Sequence, residues 1–295
     1  MKKVFILLIF ALLVSCNKET FKTEDAPESK SVESGSKEAA GEVRKTETPD
    51  SIKKMYGYYT GDFTAVKFNE ESEFTYNNRI TISLDSIVGD TLYGYSVAAG
   101  NNRPFAGKID YINNSYQAKV SEPGDDKYDG EFSFTIYPDS QKIAGVWNSY
   151  KKDLMVTMRE YNLEKREFAY NKNSSIPEGK NWNTLYESNP KFPDKIEQIS
   201  GEISNINASN TLLKNSDVDN LYKGDLEVIR NSIYARHGYS FKNRKMRYFF
   251  DNSIEWYMPV STDVRNNLTD IEKKNIDLIK RFEEHAENYY DEYGR

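Results

Sequence analysis

From Tyr56 to Tyr161 apolar and polar residues alternate with a period of two, in short runs separated by turn residues. Ile80, Ile82 and Leu84 alternate with Thr81, Ser83 and Asp85; Phe132, Phe134 and Ile136 alternate with Ser133, Thr135 and Tyr137. Successive side chains of a strand point to opposite faces, so this pattern predicts half-buried antiparallel strands with one apolar face. Further strands are predicted at Tyr58–Phe63, Thr91–Ala98, Arg103–Ile109, Tyr116–Val120, Ile143–Trp147 and Leu154–Met158. Gly89-Asp90, Gly100-Asn101-Asn102, Pro123-Gly124-Asp125 and Pro138-Asp139 supply the turns between runs. Eight short strands at hairpin spacing predict an up-and-down barrel or a sandwich of about 110 residues. A barrel of this size is either filled by its own side chains or holds one small ligand, and the aromatic residues here are expected to fill it.

The texture of this region is similar to that of the calycin group of barrels. Their Gly-x-Trp belongs on the first strand, whereas Gly145-Val146-Trp147 lies near the end, so no ligand is carried over. The acidic stretch Asp125 to Gly130 is not a calcium loop: an EF-hand starting at Asp125 would need a glutamate at its twelfth position, where Ile136 stands. It is read as a solvated turn. Residues 166–209, rich in Asn, Ser and Lys, are read as a connecting segment, with a short helix between Asp194 and Ile206.

Beyond Asp217 the apolar period becomes helical. Leu226, Ile229, Ile233 and Arg236/His237 recur at three- and four-residue steps, with Gly224-Asp225 at the start and Gly238 as a C-terminal stop. A second helix is predicted over Arg244 to Asp251. A third opens on the capping box Thr269-Asp270-Ile271-Glu272 and runs through Leu278, Ile279 and Phe282 toward Tyr289. Three helices sharing an apolar face make a small bundle.

The run Ile229-Arg230-Asn231-Ser232-Ile233-Tyr234-Ala235-Arg236-His237-Gly238 resembles the signature of the YARHG domain, a small domain of exported bacterial proteins without an established biochemical role. The resemblance continues through Phe241, Phe249, Trp256-Tyr257 and Glu272-Lys273-Lys274-Asn275, over about residues 210–287. Within it, Tyr234, Ala235, Arg236, His237 and Gly238 carry the motif. Arg236 and His237 sit where a helix dipole favours cations, and the bland reading is that they clasp Glu272 or a carbonyl of another element. The sharper reading is an anion- or glycan-binding face made by Arg236, Lys242, Arg244, Lys245 and Arg247, a run with no acidic residue in it.

Met1-Lys2-Lys3 and the apolar run Val4 to Val14 form a signal sequence. Its eleven apolar residues rise about 16 Å as a helix, about half of a bilayer core. Leu13-Val14-Ser15-Cys16 resembles the lipobox of bacterial lipoproteins, which implies cleavage before Cys16 and lipidation of its thiol. The polar stretch from Asn17 to about Asp50 is expected to be a tether, spanning roughly 30–35 Å as a flexible coil. Asn17-Lys18-Glu19 looks like the export signal of surface lipoproteins, so an outer-membrane, surface-exposed address is expected.

Composition closes other doors. The only cysteine is Cys16, so no disulfide framework or Cys-based zinc site is available, and a net charge of −6 does not suit a nucleic-acid binder. No sequence motif calls for a metal or cofactor, and no His-Glu-x-x-His, Gly-x-Ser-x-Gly or P-loop string occurs. With His237 and His285 the only histidines, the enzymatic alternative is a general acid–base hydrolase using His237 with Glu272. The reading is an α+β multidomain chain: signal 1–15, lipidated Cys16 and tether 16–53, barrel or sandwich 54–165, connector 166–209 and a helical YARHG-like domain 210–290. It is expected to be a non-enzymatic binding or scaffolding lipoprotein of the cell envelope, held to the membrane by its anchor. Its partner is an envelope glycan, a wall polymer or a protein; the alternative is a small-ligand-binding barrel.

Overall fold

A computed structural model describes residues 50–69, 77–182 and 198–290. The segments read above as a signal sequence and a tether, with Cys16 between them, lie outside the described residues as far as residue 49, as does the start of the helix predicted from Asp194. The alternating region forms eight antiparallel strands: β1 (Gly57–Phe68), β2 (Asn77–Val88), β3 (Thr91–Ala98), β4 (Asn101–Ile112), β5 (Ser115–Ser121), β6 (Gly130–Tyr137), β7 (Lys142–Ser149) and β8 (Val156–Lys165). Each pairs with the next, and β1 pairs with β8 from Tyr59↔Lys165 to Phe68↔Val156, closing a barrel rather than a sandwich. Closure removes both sheet edges, and a bulge between Ala65 and Phe68 bends β1 at one rim.

Parity sets the interior. Ile80, Ile82 and Leu84 of β2 and Phe132, Phe134 and Ile136 of β6 point inward with Leu92, Val120, Ile143 and Leu163. The last strand is longer than the sequence pattern suggested. Its buried side chains are Arg159, Tyr161 and Leu163, an inward face that begins with a charge and therefore escapes a search for apolar alternation. A short helix, α1 (Asp50–Lys53), places Ile52 against this core at one end; Met55, fully buried there, accepts the Tyr59 hydroxyl on its carbonyl at 2.9 Å.

The C-terminal part contains α2 (Glu202–Asn205), α3 (Lys223–Arg236), α4 (Arg244–Ser253) and α5 (Asp270–Tyr289). The Thr269 hydroxyl accepts from the Glu272 amide at 3.3 Å while Glu272 accepts from the Thr269 amide at 2.9 Å, so the predicted capping box forms. The second helix runs two residues beyond its predicted end, to Ser253, and starts with Asn243 accepting from the Met246 amide at 3.1 Å. Residues 166–209 do more than connect. Ile176, Trp182, Ile203 and Ala208 are buried in the helical core with Phe249, Phe250 and Ile279. Asp225, fully buried in α3, accepts from the Ser200 amide (2.6 Å) and hydroxyl (2.9 Å) and from the Tyr222 amide (3.1 Å). The segment reads as a linker because single apolar residues dispersed among polar ones carry no period.

Barrel and helices belong to one compact unit, Glu47–Arg295. The joint is made at the barrel end opposite α1. There Arg79 of β2 donates to the carbonyls of Ile254 (2.6 Å) and Tyr257 (2.8 Å), and the Gly100 amide of the β3–β4 turn donates to the Ser240 hydroxyl at 2.9 Å.

Candidate ligand site under the helical roof

The YARHG signature is turned inward. His237 caps α3; the Tyr239 amide donates to the Tyr234 carbonyl (3.1 Å) and the Gly238 amide to the Ala235 carbonyl (2.9 Å), a Schellman ending. Gly238 has φ 75°, and a Cβ there would lie 2.4 Å from Val260 Cγ2 and 2.9 Å from the Phe168 ring, so any side chain at this position would be strained and would force both neighbours to shift. Ala235 is buried, and Tyr234 is half-buried with its ring 6.1 Å from that of Tyr239.

Arg236 and His237 are structural clasps. The Arg236 Nε donates to the Ser174 carbonyl (2.8 Å) and its Nη1 to the hydroxyls of Ser232 (2.8 Å) and Ser209 (3.3 Å). His237, 5% exposed, donates from Nε2 to Glu272 at 2.8 Å and stacks on Tyr170 at 4.2 Å. Glu272 is 0% exposed and also accepts from the Tyr170 hydroxyl (3.1 Å) and the Thr269 amide. Burial alone would raise its pKa, but the His237 ring, the Thr269 amide and Ser209 outweigh it and bring it to about 2. His237 therefore sits packed among neighbours rather than at a cleft floor beside a free carboxylate, and the geometry does not support the proposed base. Asn275 makes a parallel clasp, donating to the carbonyls of Ala208 (2.8 Å) and Thr211 (2.7 Å) and accepting from the Leu213 amide (2.9 Å).

The five-residue basic face does not exist as one surface. Arg236 is buried on α3, and Lys245 pairs with Glu227 and lies over the Trp182 ring at 4.7 Å. Lys242, Arg244 and Arg247 instead reach a cavity at the barrel end. The run splits because residues three and four apart share a helix face while Lys245, between Arg244 and Arg247, points elsewhere.

That cavity measures about 420 Å³. Its floor is apolar: Phe63, Ile80, Phe132 and Trp147. Phe63 meets Trp147 edge-on at 6.0 Å and stacks toward Phe132 at 6.4 Å. Above the floor the inward positions turn polar, with Asn78, Ser96, Arg103, Glu122 and Arg159 around the rim, and Lys242, Arg244 and Arg247 come from α4 and the residues before it. The expectation that side chains fill the barrel thus holds for the half near α1 and fails at this end.

The rim charges are held in place. Glu122 accepts from the Gly130 amide (2.7 Å), Trp147 Nε1 (3.2 Å) and the Ser96 hydroxyl (3.3 Å), and burial raises its pKa to about 7 against those hydrogen bonds. Arg103 pairs with Asp129 at 2.8 Å and Asp126 at 3.2 Å. Arg159 donates to the Phe63 carbonyl at 2.7 Å; burial, aided by the positive charge of Arg247, lowers it to about 10. The sequence reading missed Arg103, Glu122 and Arg159. A signal was present: Arg103 shares parity with Phe105 and Ile109, Glu122 with Ala118 and Val120, and Arg159 with Tyr161 and Leu163, so each is a charge on a buried face.

No curated protein matches the chain. Residues 202–284, which span α2, α3, α4 and nearly all of α5, match the model of the YARHG domain family.

Proposed function

We propose that this chain is a lipid-anchored binding protein of the bacterial cell envelope whose barrel receives a small molecule at the end roofed by the YARHG domain. The supporting observation is the cavity of about 420 Å³, with an apolar aromatic floor and convergent polar side chains. Ligand pockets commonly enclose about 300–1,000 Å³ and combine these two kinds of wall. The lipobox-like Leu13-Val14-Ser15-Cys16 supports the anchor and the envelope address. The small-ligand reading is favoured over an envelope glycan held on an exposed basic face, because the basic run is divided between the core, an ion pair and the cavity.

The test is binding of the neutral fluorescent probe N-phenyl-naphthylamine to the protein without its signal and tether. Saturable one-to-one binding that is lost in Ser96→Trp, which fills the cavity, is expected. Binding that Ser96→Trp leaves unchanged overturns the site. For the anchor, Cys16→Ala is expected to move the protein from the membrane fraction to the soluble fraction, and undiminished membrane retention overturns it.

A further inference from the structure

The Tyr234 ring lies outside the clasps that occupy Arg236 and His237. It lines a second cleft, of about 380 Å³, where it stands 6.1 Å from the ring of Tyr239 at a tilt of 57°. Arg230 and Asn231 reach the cleft from the same helix, α3, and Thr262, Asp263 and Arg265 from the loop before α5. Backbone hydrogen bonds tie these two walls together. The Gly238 carbonyl accepts from the amides of Val260 (2.8 Å) and Ser261 (3.0 Å), and the Ser240 amide donates to the Ser261 carbonyl at 2.8 Å. Val264, 2% exposed, anchors the loop beyond them. The cleft is therefore formed before any ligand arrives, which lowers the entropy lost on binding.

Its charges are already matched. Arg230 Nε donates to both carboxylate oxygens of Glu283, at 2.8 and 2.9 Å, and Arg265 donates to Asp263 from Nε (2.9 Å) and Nη2 (2.6 Å). A charged ligand would have to break a pair and strand one member, an unfavourable exchange at the partly sheltered Arg230–Glu283 contact. The open valences are neutral. Asn231, 9% exposed, donates from Nδ2 to the Glu227 carbonyl at 2.8 Å, while its Oδ1 has no partner among the described residues. The hydroxyls of Tyr239 and Thr262 have none there either. A wholly apolar occupant would cover these groups without satisfying them.

We propose that this cleft, independently of the barrel cavity, binds one or two rings of a neutral saccharide, packed on Tyr234 and Tyr239 and hydrogen-bonded to Asn231 and Thr262. A sugar ring fits both halves of the site. Its C–H face suits the apolar body of a tyrosine, and each of its hydroxyls both donates and accepts, as Asn231 Oδ1 and the Thr262 and Tyr239 hydroxyls require. Pockets that join aromatic walls to a few placed polar groups commonly serve as ligand sites.

The experiment is calorimetric titration of the folded unit Glu47–Arg295 with neutral trisaccharides: maltotriose, cellotriose, mannotriose, galactotriose and triacetylchitotriose. At least one is expected to bind one-to-one with a Kd of about 1 mM or tighter. Trigalacturonate and the chitosan trimer, which put carboxylates or ammonium groups on the same rings, are expected to bind at least about five-fold more weakly than their neutral counterparts. Thr262→Trp, at an exposed position, obstructs the cleft and is expected to abolish binding with Tm unchanged; Tyr239→Leu is expected to weaken it about ten-fold or more. Ser96→Trp, in the barrel, is expected to leave it within about two-fold. Affinity that rises from monosaccharide to trisaccharide would assign a glycan chain as the source and equal affinity a free sugar, and the cleft stands in either case. Binding by none of the trisaccharides, tighter binding of a charged trimer, or loss in Ser96→Trp but not in Thr262→Trp overturns the proposal. The first two results leave the barrel reading as it was, and the third moves the sugar into the barrel.

Discussion

Arg79 of β2 donates from Nη1 to the carbonyl of Ile254 at 2.6 Å, at the C-terminal cap of α4. The same nitrogen reaches the Tyr257 carbonyl at 2.8 Å, so one barrel side chain satisfies two carbonyls where the helix has run out of its own donors. A cation there also suits the negative end of the helix dipole, and Asp251, buried one turn earlier, adds a carboxyl within its field. The roof of the cavity is thus fastened to the barrel by a residue outside the YARHG match.

Arg79→Met removes the donor and leaves two carbonyls and Asp251 without it. The expected cost is about 2–4 kcal/mol, read as a lower denaturation midpoint in urea. A loss under about 0.5 kcal/mol would show that the clasp is not what holds the roof.

Gly100, φ 74°, lies under the residue that precedes the cationic helix. A Cβ on it would stand 2.1 Å from Lys242 Cγ, 2.9 Å from Lys242 N and 3.0 Å from its Cα. The lysine stem can swing away, but the backbone at Lys242 has to shift. Gly100→Ala is therefore expected to cost about 2 kcal/mol or more in stability and to weaken probe binding, because Arg244 and Arg247 follow directly. Calorimetry with a probe titration checks both; an unchanged Tm refutes the close approach.

Glu272 is held at about 2, below the ordinary carboxylate value, by His237, Thr269 and Ser209 against its burial. The unfolded chain takes up the proton first as pH falls. The stability due to this contact is complete above about pH 4.5 and drains away between there and about pH 2. Glu272→Gln is expected to lose about 2 kcal/mol at neutral pH and to converge with wild type in acid. Parallel curves from pH 7 to pH 3 would count against the clasp.

Glu122 and Asp251 go the other way, each raised to about 7, chiefly by burial. Between the ordinary carboxylate value and about pH 7 the native state keeps protons that the unfolded chain has released. Stability therefore declines as pH rises through this window and levels off above it. Glu122→Gln and Asp251→Asn should each flatten part of that decline, by about 1–3 kcal/mol between pH 5 and pH 8. Denaturation at those two pH values tests it, and a slope unchanged in both variants rejects the assignment.

Much of the fold was legible before any coordinates. The runs at Ile80 to Leu84 and Phe132 to Ile136 are strands because side-chain direction alternates locally, and the Thr269 to Glu272 box opens α5 because capping needs only residues three apart. The partnership of His237 with Glu272 was also within reach, since few groups can neutralise a histidine at a helix end. The burial of Trp182 and Ile176 in the helical core was not, because isolated apolar residues in a polar segment have no period to declare them. The basic run from Arg236 to Arg247 misled for a related reason: a row of like charges in sequence says nothing about which of them shares a face after docking.

The sequence by itself determined the alternating strands, the three long helices and the stop at Gly238, all products of interactions between residues a few positions apart. The tertiary structure alone decided that the barrel keeps an open end, that Arg103, Glu122 and Arg159 gather at that end, and that Arg244 and Arg247 descend onto it. Those outcomes depend on β1 meeting β8 and on Arg79 meeting Ile254, pairs far apart in the chain whose contact is set by global packing. Burial then does what no local pattern encodes: it brings charged side chains from distant parts of the chain to the wall of one cavity, where each must be held by partners rather than by bulk water.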